Sequence, residues 1–511
     1  MGRSREVLHA SSFKSVPDMW HHRVDSTPGA DALIFRTGRQ WHTLSWRKAA
    51  DRVERIANAL LAFGLENEQR CAILAETSAE WILADVGILC AGGATSTIYP
   101  SSTPEECAYI LEDSGARIVF CGSAELVEKL RSVSDRTPHL ARLIVLKGEA
   151  PGATPLADFE AEGADWQKER PNAYRERVES IELGHLATLM YTSGTTGLPK
   201  GVMLTHDAWV YKGEAIDSLG MMNPADKQYL FLPLSHVFAK VMQVTFIRLG
   251  IPTVVDGSVN DLIANLQETQ PTWMAAVPRV FERAFNGIVA EARRAGGARY
   301  STFKWALKVG TEMSDVRQRG DRPSPALRVR WSIADRLVFQ KIKQRFGGKI
   351  RFFISGGAPL SPEIARFFHA CDLLVLEGYG LTESAAASCV NRLDDYRFGT
   401  VGPPMPGCEI RVAEDGEILI KSRGVMKGYH NHPEDTAAAI TEDGWLHTGD
   451  VGVILESGHL RITDRKKDLI VTAGGKNIAP AHFEQLLGGQ TSSIAHVVMH
   501  GDRRPFCSAL I

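Results

Sequence analysis

A glycine-rich loop with several hydroxyl groups precedes a single lysine in residues 191–201, YTSGTTGLPKG. Gly194 and Gly197 let backbone N–H groups approach an anion closely, and Lys200 adds a positive charge. Neighbouring hydroxyls can donate hydrogen bonds to phosphate oxygens. The segment therefore predicts a loop that binds a polyphosphate. Its hydroxyl-bearing residues are Thr192, Ser193, Thr195 and Thr196.

The loop differs from a Walker A motif. That motif places Gly before its Lys and Ser or Thr after it, whereas Pro199 and Gly201 flank Lys200 here. A P-loop switch protein or P-loop ATPase is therefore disfavoured. A polar, glycine-rich surface turn is the structural alternative to a phosphate site.

Two further glycine-rich segments follow apolar runs: FFISGGAPL at 352–360 and LLVLEGYGLTES at 373–384. Loops at strand ends are where ligands bind in open α/β sheets. Tyr379 offers a flat ring for stacking, and Glu383 offers a carboxylate that can hold Mg²⁺ beside phosphates. Each segment alone fits an ordinary strand-to-helix turn equally well.

Two later segments carry groups that suit a ribose. Asp450, in GWLHTGDVG at 444–452, can accept two hydrogen bonds from a ribose diol. Arg465, in ITDRKKDLI at 462–470, can pair with a phosphate or a ribose. An Asp-containing turn and a solvated run of charges are the simpler interpretations of these segments.

In this order and spacing, the five segments resemble the adenylate-forming superfamily of acyl-CoA synthetases, luciferases and peptide-synthetase adenylation domains. The resemblance runs from about residue 13 to the end of the sequence. The segments TSTIYPSSTPEE, LPLSHVF, VPRVFER, ISGGAPL and DRKKDLIVTAGGKNIAP are similar to those of bacterial long-chain fatty acyl-CoA synthetases. The combination is far more specific than any one segment.

The resemblance implies how the chain holds ATP. The 192–200 loop, with Lys200, would hold the triphosphate, and Thr382 would contact a phosphate. Thr192 and Glu383 would ligate Mg²⁺. Asp450 and Arg465 would bind the ribose. The residues implied to frame the adenine and the acyl-adenylate are Gly357, Ala358, Glu377, Gly378, Tyr379 and Gly380.

Four other residues take roles from the resemblance alone. His236 would lie between the nucleotide and the acyl pocket. Lys467 falls where the family has a hinge for its small domain. Gly475 and Lys476 lie in the loop that the family brings toward the pantetheine path of coenzyme A.

The implied reaction needs no nucleophilic side chain. The carboxylate of a long-chain fatty acid attacks the α-phosphate of ATP and pyrophosphate leaves, so catalysis rests on positioning and charge neutralisation. The thiol of coenzyme A then attacks the mixed anhydride, giving acyl-CoA and AMP. The alternatives are a fatty acyl-AMP ligase that loads a carrier protein, a peptide-synthetase adenylation module, and a nucleotide- and acyl-binding chain without turnover.

Two departures from the family pattern bear on these expectations. Some long-chain synthetases carry a tryptophan gate four residues after the histidine, and Lys240 stands at that position here. The family's adenylation lysine lies near the end of its small domain, and no matching segment occurs. We therefore expect a C-terminal domain that is incomplete.

The elements that must position these residues alternate in the order typical of α/β proteins with largely parallel sheets. In SWRKAADRVERIANALLAFGL, one apolar face predicts a helix that Ser45 caps and Gly64 ends. Apolar runs at 71–75, 118–121 and 143–146 predict buried strands, and the polar residues 148–180 predict a surface excursion. The apolar residues of the helix are Val53, Ile56, Ala57, Leu60 and Leu61.

Later segments predict a change of architecture. Asp415-Gly416 and Ser457-Gly458 each lie between two apolar runs and predict β-hairpins, hence a small β-barrel-like unit at about 400–463. We expect an AMP-binding N-terminal domain over residues 1–463. The start of a small, mobile α+β C-terminal domain is expected over residues 464–511.

Composition restricts the protein class further. The 511 residues are 44% hydrophobic and 23% charged with a net charge of −2, which is ordinary for a globular protein and does not favour nucleic-acid binding. The sequence contains no long apolar run and no secretory signal pattern, and its eight scattered cysteines predict reduced, mostly buried thiols. These features predict a cytoplasmic protein.

Residues 317–351 are strongly basic, with only Asp321 and Asp335 as acids, and apolar residues interleave with the charges. An amphipathic helix packed on its own domain explains this pattern in the simplest way. The alternative is a peripheral contact with an anionic membrane, where fatty acids reside.

Overall fold

The computed structural model describes residues 11–192, 197–467, 470–471, 477–478, 480, 483–484, 497–501, 504 and 506–511. Its helices are α1 (Val16–Ser26), α2 (Trp46–Ala62), α3 (Ala79–Cys90), α4 (Pro104–Ser114), α5 (Ala124–Arg131), α6 (Leu156–Glu169), α7 (Ala173–Glu179), α8 (His206–Ser218), α9 (Val237–Leu249), α10 (Leu262–Thr269), α11 (Pro278–Ala295), α12 (Gly297–Gln318), α13 (Pro325–Ala334), α14 (Gln340–Arg345), α15 (Pro362–Ala370) and α16 (Pro433–Ala439).

The strands in the first half of the chain are β1 (Asp31–Thr37), β2 (Gln40–Ser45), β3 (Arg70–Leu74), β4 (Ala94–Ile98), β5 (Ile118–Cys121), β6 (Arg142–Val145), β7 (Thr154–Pro155), β8 (Leu186–Thr192), β9 (Lys200–Thr205), β10 (Gln228–Leu230) and β11 (Thr253–Val255). Those in the second half are β12 (Trp273–Ala276), β13 (Phe352–Ser355), β14 (Leu374–Leu381), β15 (Ala386–Val390), β16 (Glu409–Val412), β17 (Glu417–Lys421), β18 (Gly428–Tyr429), β19 (Leu446–Ile454), β20 (Leu460–Arg465), β21 (Ile470–Val471), β22 (Asn477–Ile478), β23 (Val498–His500) and β24 (Ser508–Leu510).

The chain divides into two compact units. The first unit contains Met1–Asn260, Leu381–Ala387 and Ser422–Thr441. The second unit contains Asp261–Gly380, Ser388–Lys421 and Glu442–Ile511. Two short segments from the later part of the sequence therefore fold with the first unit.

The first unit is built on mostly parallel strands. One sheet has the order β18-β9-β8-β4-β3-β5-β6-β7. Its strands β3 to β8 run parallel, β9 is antiparallel to β8, and β18 is antiparallel to β9. In the same unit β10, β11 and β1 are parallel neighbours, and β2 pairs antiparallel with β1. The three strands predicted from apolar runs are confirmed as β3, β5 and β6.

The second unit combines two kinds of sheet. Strands β12, β13 and β14 are parallel neighbours. A separate antiparallel sheet has the order β16-β17-β19-β20, and its hairpins turn at Asp415-Gly416 and Ser457-Gly458. Gly416 has φ of 84°, a backbone conformation that favours glycine. The predicted mixture of parallel α/β sheets and a small β unit is confirmed.

Helix α2 follows from its local sequence as predicted. The Ser45 Oγ accepts a hydrogen bond from the Lys48 N–H at 3.3 Å and caps the start of the helix. Gly64, with φ of 87°, follows its end. Four of the five predicted apolar residues are buried, and Leu61 is half-buried.

Residues 148–180, predicted as a surface excursion, lie mostly at the surface, but the segment is largely helical. The segment forms α6 and α7, and α6 packs closely against α2. Phe159 is fully buried, and the nearly buried Glu160 carboxylate pairs with Arg52 at 2.7 Å. Few apolar residues suffice here because Gly163 lets the two helix backbones approach each other. The polar composition concealed a helix whose buried face is narrow.

Two predictions from the whole sequence concern the cysteine thiols and membrane-spanning segments. All eight cysteines are free thiols, seven of them buried, and burial raises the pKa of the Cys71 thiol to about 12. The prediction of reduced, mostly buried thiols is therefore confirmed. In the part of the chain that the structure describes, no helix is both long enough and apolar enough to cross a bilayer.

We predict that Gly163→Ala destabilises the first unit. A Cβ at this position would overlap the Arg55 carbonyl oxygen, so α6 must move away from α2. The cost should be roughly 1–3 kcal/mol, as for other overpacked sites, and it should lower the urea midpoint. Gly287→Ala is the matched control, because Gly287 is also inside a helix but has open space around it. An equal response of the two variants would contradict the close packing.

Candidate active site

The predicted phosphate loop connects two paired strands of the first unit. Thr192 ends β8 and Lys200 begins β9, and these two residues are opposite each other in the antiparallel register. Gly197 has φ of 132°, which a residue with a side chain rarely adopts. Ser193, Gly194, Thr195 and Thr196 lie outside the described residues.

The Lys200 side chain has two partners on the segment that contains β18 and α16. Its Nζ lies 2.7 Å from Asp435 Oδ2, and it lies 5.6 Å from the centre of the Tyr429 ring. The lysine side chain is 21% exposed. The Lys200 ammonium holds the pKa of Asp435 below its usual value.

Glu383 lies in a constrained turn of the same unit. Thr382–Ser384 forms a single 3-10 turn, and the following Ala385 and Ala386 have φ of 52° and 70°. Left-handed backbone at alanine is strained, and such strain persists where the surroundings impose it. The Met426 N–H donates to the Glu383 carbonyl at 2.8 Å, which fixes the turn.

One tyrosine links these two candidate residues. The Tyr429 O–H donates a hydrogen bond to Glu383 Oε1 at 2.8 Å, while its ring lies beside Lys200 Nζ. Burial and the Glu383 carboxylate raise the pKa of this tyrosine far above its usual value, so the phenol stays protonated as a donor. The structure thus brings the predicted phosphate-binding lysine and the predicted Mg²⁺ ligand to one side chain.

A buried lysine supports the strained backbone that follows Glu383. Lys212 on α8 is fully buried, and its Nζ donates to the Ala387 carbonyl at 2.7 Å. Gly424 lies against it, because a Cβ at this position would be 2.7 Å from Lys212 Cε. The turn that carries Glu383 is therefore fixed on both sides.

His236 is exposed and caps α9. Its Nδ1 accepts a hydrogen bond from the Phe238 N–H at 3.1 Å. In the neutral ring this leaves the proton on Nε2, which can donate to a ligand. Lys240, one turn later, is fully buried in an ion pair with Asp85, beside the Trp81 and Trp209 rings.

In the second unit, the predicted adenine-framing residues lie just after one strand and within its neighbour. Gly357 and Ala358 are exposed just after β13, and Gly357 has φ of 81°. Glu377, Gly378, Tyr379 and Gly380 lie within β14, which continues to Leu381. The glycines of this second segment are therefore part of the strand, and the prediction that they follow its end is wrong.

The predicted ribose-binding pair is assembled in the second unit. Asp450 on β19 and Arg465 on β20 are register partners, with Arg465 Nε 3.3 Å from Asp450 Oδ1. The Tyr379 O–H donates to Asp450 Oδ2 at 2.6 Å. Three predicted residues from distant segments therefore meet. The pKa of Asp450 is raised overall, because the effect of burial exceeds the lowering by Tyr379 and Arg465.

The basic residues that follow β20 differ in their surroundings. Lys466 pairs with Asp415 at 2.6 Å and with Glu417 at 2.9 Å, so it is not merely solvated. Lys467 is exposed in the turn that follows the strand. Gly475 and Lys476 lie outside the described residues.

Sequence reasoning missed Tyr429 and Asp435, which contact predicted residues of the first unit, and Lys212, which supports the backbone that follows Glu383. The segment GYHNHPED shows no local chemical pattern, and its role depends on the pairing of β18 with β9. Lys212 lies on α8, far in sequence from the turn that it supports. Only knowledge of these long-range contacts could have identified them.

The described residues contain no group of three or more His, Cys, Asp or Glu side chains that could hold a metal alone. A Mg²⁺ ion bound with a nucleotide needs only one or two carboxylates, because phosphates and waters supply its other oxygens. Glu383, half-buried and hydrogen-bonded to Tyr429, fits that requirement.

The amino-acid sequence is similar to those of known proteins. A family model described as AMP-binding enzyme matches residues 20–430. The long-chain-fatty-acid–CoA ligase FadD15 of Mycobacterium tuberculosis is 34% identical over 473 residues, 92% of this chain and 77% of that protein. The long-chain-fatty-acid–CoA ligase ACSBG2 of Xenopus laevis is 33% identical over 529 residues, 99% of this chain and 70% of that protein.

Solved structures share the fold. The anthranilate CoA ligase AuaEII in complex with anthranoyl-AMP has a TM-score of 0.75 at 19% identity, covering 95% of this chain and 83% of that one. ATP-bound MatB from Rhodopseudomonas palustris has a TM-score of 0.72 at 25% identity, covering 94% and 85%.

We predict that Glu377→Gln changes how stability depends on pH. Burial raises the pKa of Glu377 from 4.5 to about 7, so the native state holds an extra proton between those values. The stabilisation is complete below the unfolded pKa and is lost as pH rises through the folded pKa. Between about pH 5.5 and pH 8, the variant should therefore gain roughly 2 kcal/mol relative to the wild type.

Urea midpoints of both proteins at the two pH values measure this difference. Glu363→Gln is the control, because Glu363 is an exposed carboxylate at the start of α15. A Glu377→Gln variant whose stability follows that of the wild type across the range would contradict the buried, protonated carboxyl.

Proposed function

Because the chain belongs to the AMP-binding enzyme family, we propose that it activates a long-chain fatty acid with ATP and transfers the acyl group to coenzyme A. AMP and pyrophosphate are the other products. The observation that carries the proposal is the convergence of Lys200 and Glu383 on Tyr429. A cation and a carboxylate beside a glycine-rich loop form the set of groups that a metal-bound triphosphate requires.

In the first half-reaction, the carboxylate of the fatty acid attacks the α-phosphate and pyrophosphate leaves. Lys200 offsets negative charge on the phosphates, and Thr382 donates to a phosphate oxygen. Glu383 and Thr192 would hold Mg²⁺, which supplies further charge neutralisation when bound. The strained, doubly supported turn at 382–387 holds Glu383 in place before the substrate arrives, which reduces the cost of reorganisation.

The second unit, taken by itself, carries residues that would hold a nucleoside. Asp450, oriented by Tyr379 and Arg465, would accept hydrogen bonds from the ribose hydroxyls. Gly357, Ala358, Gly378 and Gly380 would leave room for the adenine, and Glu377 would contact it. Arg465 is more than half exposed and can turn from Asp450 to a ribose or phosphate oxygen.

In the second half-reaction, the thiol of coenzyme A attacks the acyl carbonyl and AMP leaves. His236, with its Nε2 proton, would orient the acyl group at this step. Lys467 would serve as the hinge of a small domain that begins at 464, and Gly475 and Lys476 would line the pantetheine path. The assignments of Lys467, Gly475 and Lys476 rest on the resemblance of the DRKKDLIVTAGGKNIAP segment, and that of His236 rests on the resemblance of LPLSHVF.

The same nucleotide-binding residues would also serve a fatty acyl-AMP ligase that loads a carrier protein. The named relatives are CoA ligases, which favours coenzyme A as the acceptor. If coenzyme A is the acceptor, AMP should be released rapidly only when coenzyme A is present. Rapid AMP release with a carrier protein and none with coenzyme A would support the alternative.

We predict that Lys200→Met lowers the rate of pyrophosphate release from ATP and fatty acid by roughly 100-fold, as does the loss of other donors to transition-state charge. The assay should use fatty acids of graded chain length, with and without coenzyme A. Lys168→Met is the matched control, because Lys168 is an exposed lysine on α6. Equal rates in the two variants, or release of ADP in place of AMP, would contradict the proposed function.

We also propose that the chain contacts an anionic membrane surface through residues 317–351. Helix α13 packs on α12, and its Leu327 and Ala334 are buried. On the outer side, Val329, Ile333 and Leu337 are 62%, 47% and 49% exposed. Val329 and Ile333 lie one turn apart on α13, and Leu337 lies in the π-helical turn Asp335–Phe339 that continues it; the three are named here the 329–337 face.

The charges around the 329–337 face fit an anionic lipid surface. Arg328 and Arg336 are exposed and adjoin Val329 and Leu337 in the sequence, and Lys341 is exposed four residues after Leu337. The acid Asp335 is paired with Lys343 at 2.7 Å, so it offsets little of this charge. Apolar side chains flanked by basic ones are typical of helices that lie in a membrane interface.

We predict that Ile333→Asp reduces co-sedimentation with vesicles that contain phosphatidylglycerol by several-fold, because it places a charge on the apolar face. Binding by the wild type should also weaken as salt is raised. Ile454→Asp is the matched control, since Ile454 is 46% exposed on the antiparallel sheet. Wild-type binding that depends on neither anionic lipid nor salt would contradict the membrane contact.

A further inference from the structure

The segment that carries Asp435 is held firmly against the strand that carries Lys200. Strand β18 pairs antiparallel with β9, and the His430 N–H donates to the Gly201 carbonyl at 2.8 Å. The Tyr429 N–H donates to Thr436 Oγ1 at 2.9 Å, which fixes the start of α16 against β18. Asp435 is therefore placed beside Lys200 by backbone pairing and not by chance contact of two surface side chains.

The contact itself resembles the one that a phosphate makes. The distance of 2.7 Å between Lys200 Nζ and Asp435 Oδ2 is that of a short, charge-assisted hydrogen bond. His432 Nδ1 lies 3.3 Å from the same carboxylate oxygen and adds a second nitrogen. A phosphate oxygen that approaches Lys200 meets an ammonium whose charge is already offset by a carboxylate.

We infer that Asp435 is an internal competitor of phosphate for Lys200 and that it sets the affinity of the chain for ATP. This inference rests on the proposed binding of ATP at Lys200. Asp435 weakens ATP binding in two ways, by pairing with the lysine and by repelling the nearby polyanion. Asp435 is thus a positioning residue that acts through Lys200, and it also favours release of pyrophosphate after the first half-reaction.

The size of the effect follows from exposure. The Asp435 side chain is 41% exposed, so solvent screens the pair and its energy is small. Removing the charge should strengthen ATP binding by about 2- to 5-fold. Asn is the suitable replacement, because its amide oxygen can still accept a hydrogen bond from Lys200. The Tyr429 ring also remains beside the ammonium, so the lysine keeps its orientation.

The experiment compares nucleotide affinity in the full chain with and without the Asp435 charge. Equilibrium binding is measured for ATP, pyrophosphate and adenosine with wild type, Asp435→Asn and Glu434→Gln. Glu434 is the matched control, because it is an exposed carboxylate on the same helix next to Asp435. Asp435→Asn should lower the Kd of ATP and of pyrophosphate by about 2- to 5-fold and leave that of adenosine unchanged.

A second comparison tests whether Asp435 acts through Lys200. In a Lys200→Met background, Asp435→Asn should strengthen ATP binding less than it does in the wild type, because only the removed repulsion remains. The difference between the two backgrounds is the coupling between the residues. The effect of Asp435→Asn in the wild-type background should also shrink as salt is raised.

Three results would overturn the inference. Asp435→Asn could leave ATP affinity unchanged or weaken it, Glu434→Gln could strengthen it equally, or Asp435→Asn could strengthen adenosine binding as much as ATP binding. A wild-type chain that binds neither ATP nor pyrophosphate would overturn the proposed function together with this inference. Normal ATP binding and turnover with an unresponsive Asp435→Asn variant would overturn the inference alone.

Discussion

The contact of Tyr429 with both Glu383 and Lys200 is the interaction on which the candidate site of the first unit depends. A site for a metal-bound triphosphate needs a cation and a carboxylate close together, yet the two would neutralise each other if they paired directly. Here the glutamate accepts a hydrogen bond from the neutral Tyr429 phenol, while the lysine pairs with a different carboxylate, Asp435, which offsets its charge. The pairing of β18 with β9 makes this separation possible.

Two buried lysines of the first unit, Lys212 and Lys240, fix neighbouring elements at positions that the reaction does not use. Lys212 holds the strained turn after Glu383 through the Ala387 carbonyl. Lys240 and Asp85 form a fully buried ion pair between α9 and α3. Such pairs contribute little net stability, but the loss of one partner leaves an unpaired buried charge. They therefore fix one arrangement of the helices rather than add much to their stability.

Local sequence was sufficient where local physics decides the structure. Ser45 and Gly64 bound α2, and Asp415-Gly416 forms a hairpin turn, because capping and turn geometry depend on a few adjacent residues. The motif residues Asp450 and Arg465 proved to be register partners in adjacent strands. The helix α6 within residues 148–180 was not predicted, because a single close approach at Gly163 lets it pack on α2 with few apolar side chains. Tyr429 and Asp435 escaped notice, because a strand pairing across more than two hundred residues gives them their role.

The central claim is that the substrate carboxylate itself attacks the α-phosphate of ATP. A fatty acid labelled with ¹⁸O in both carboxyl oxygens tests it directly, with mass spectrometry of the products after complete turnover with coenzyme A. This mechanism predicts one ¹⁸O atom in AMP and one in the acyl-CoA, because the bridging oxygen of the anhydride leaves with AMP. Label that appears in inorganic phosphate, with none in AMP, would contradict it.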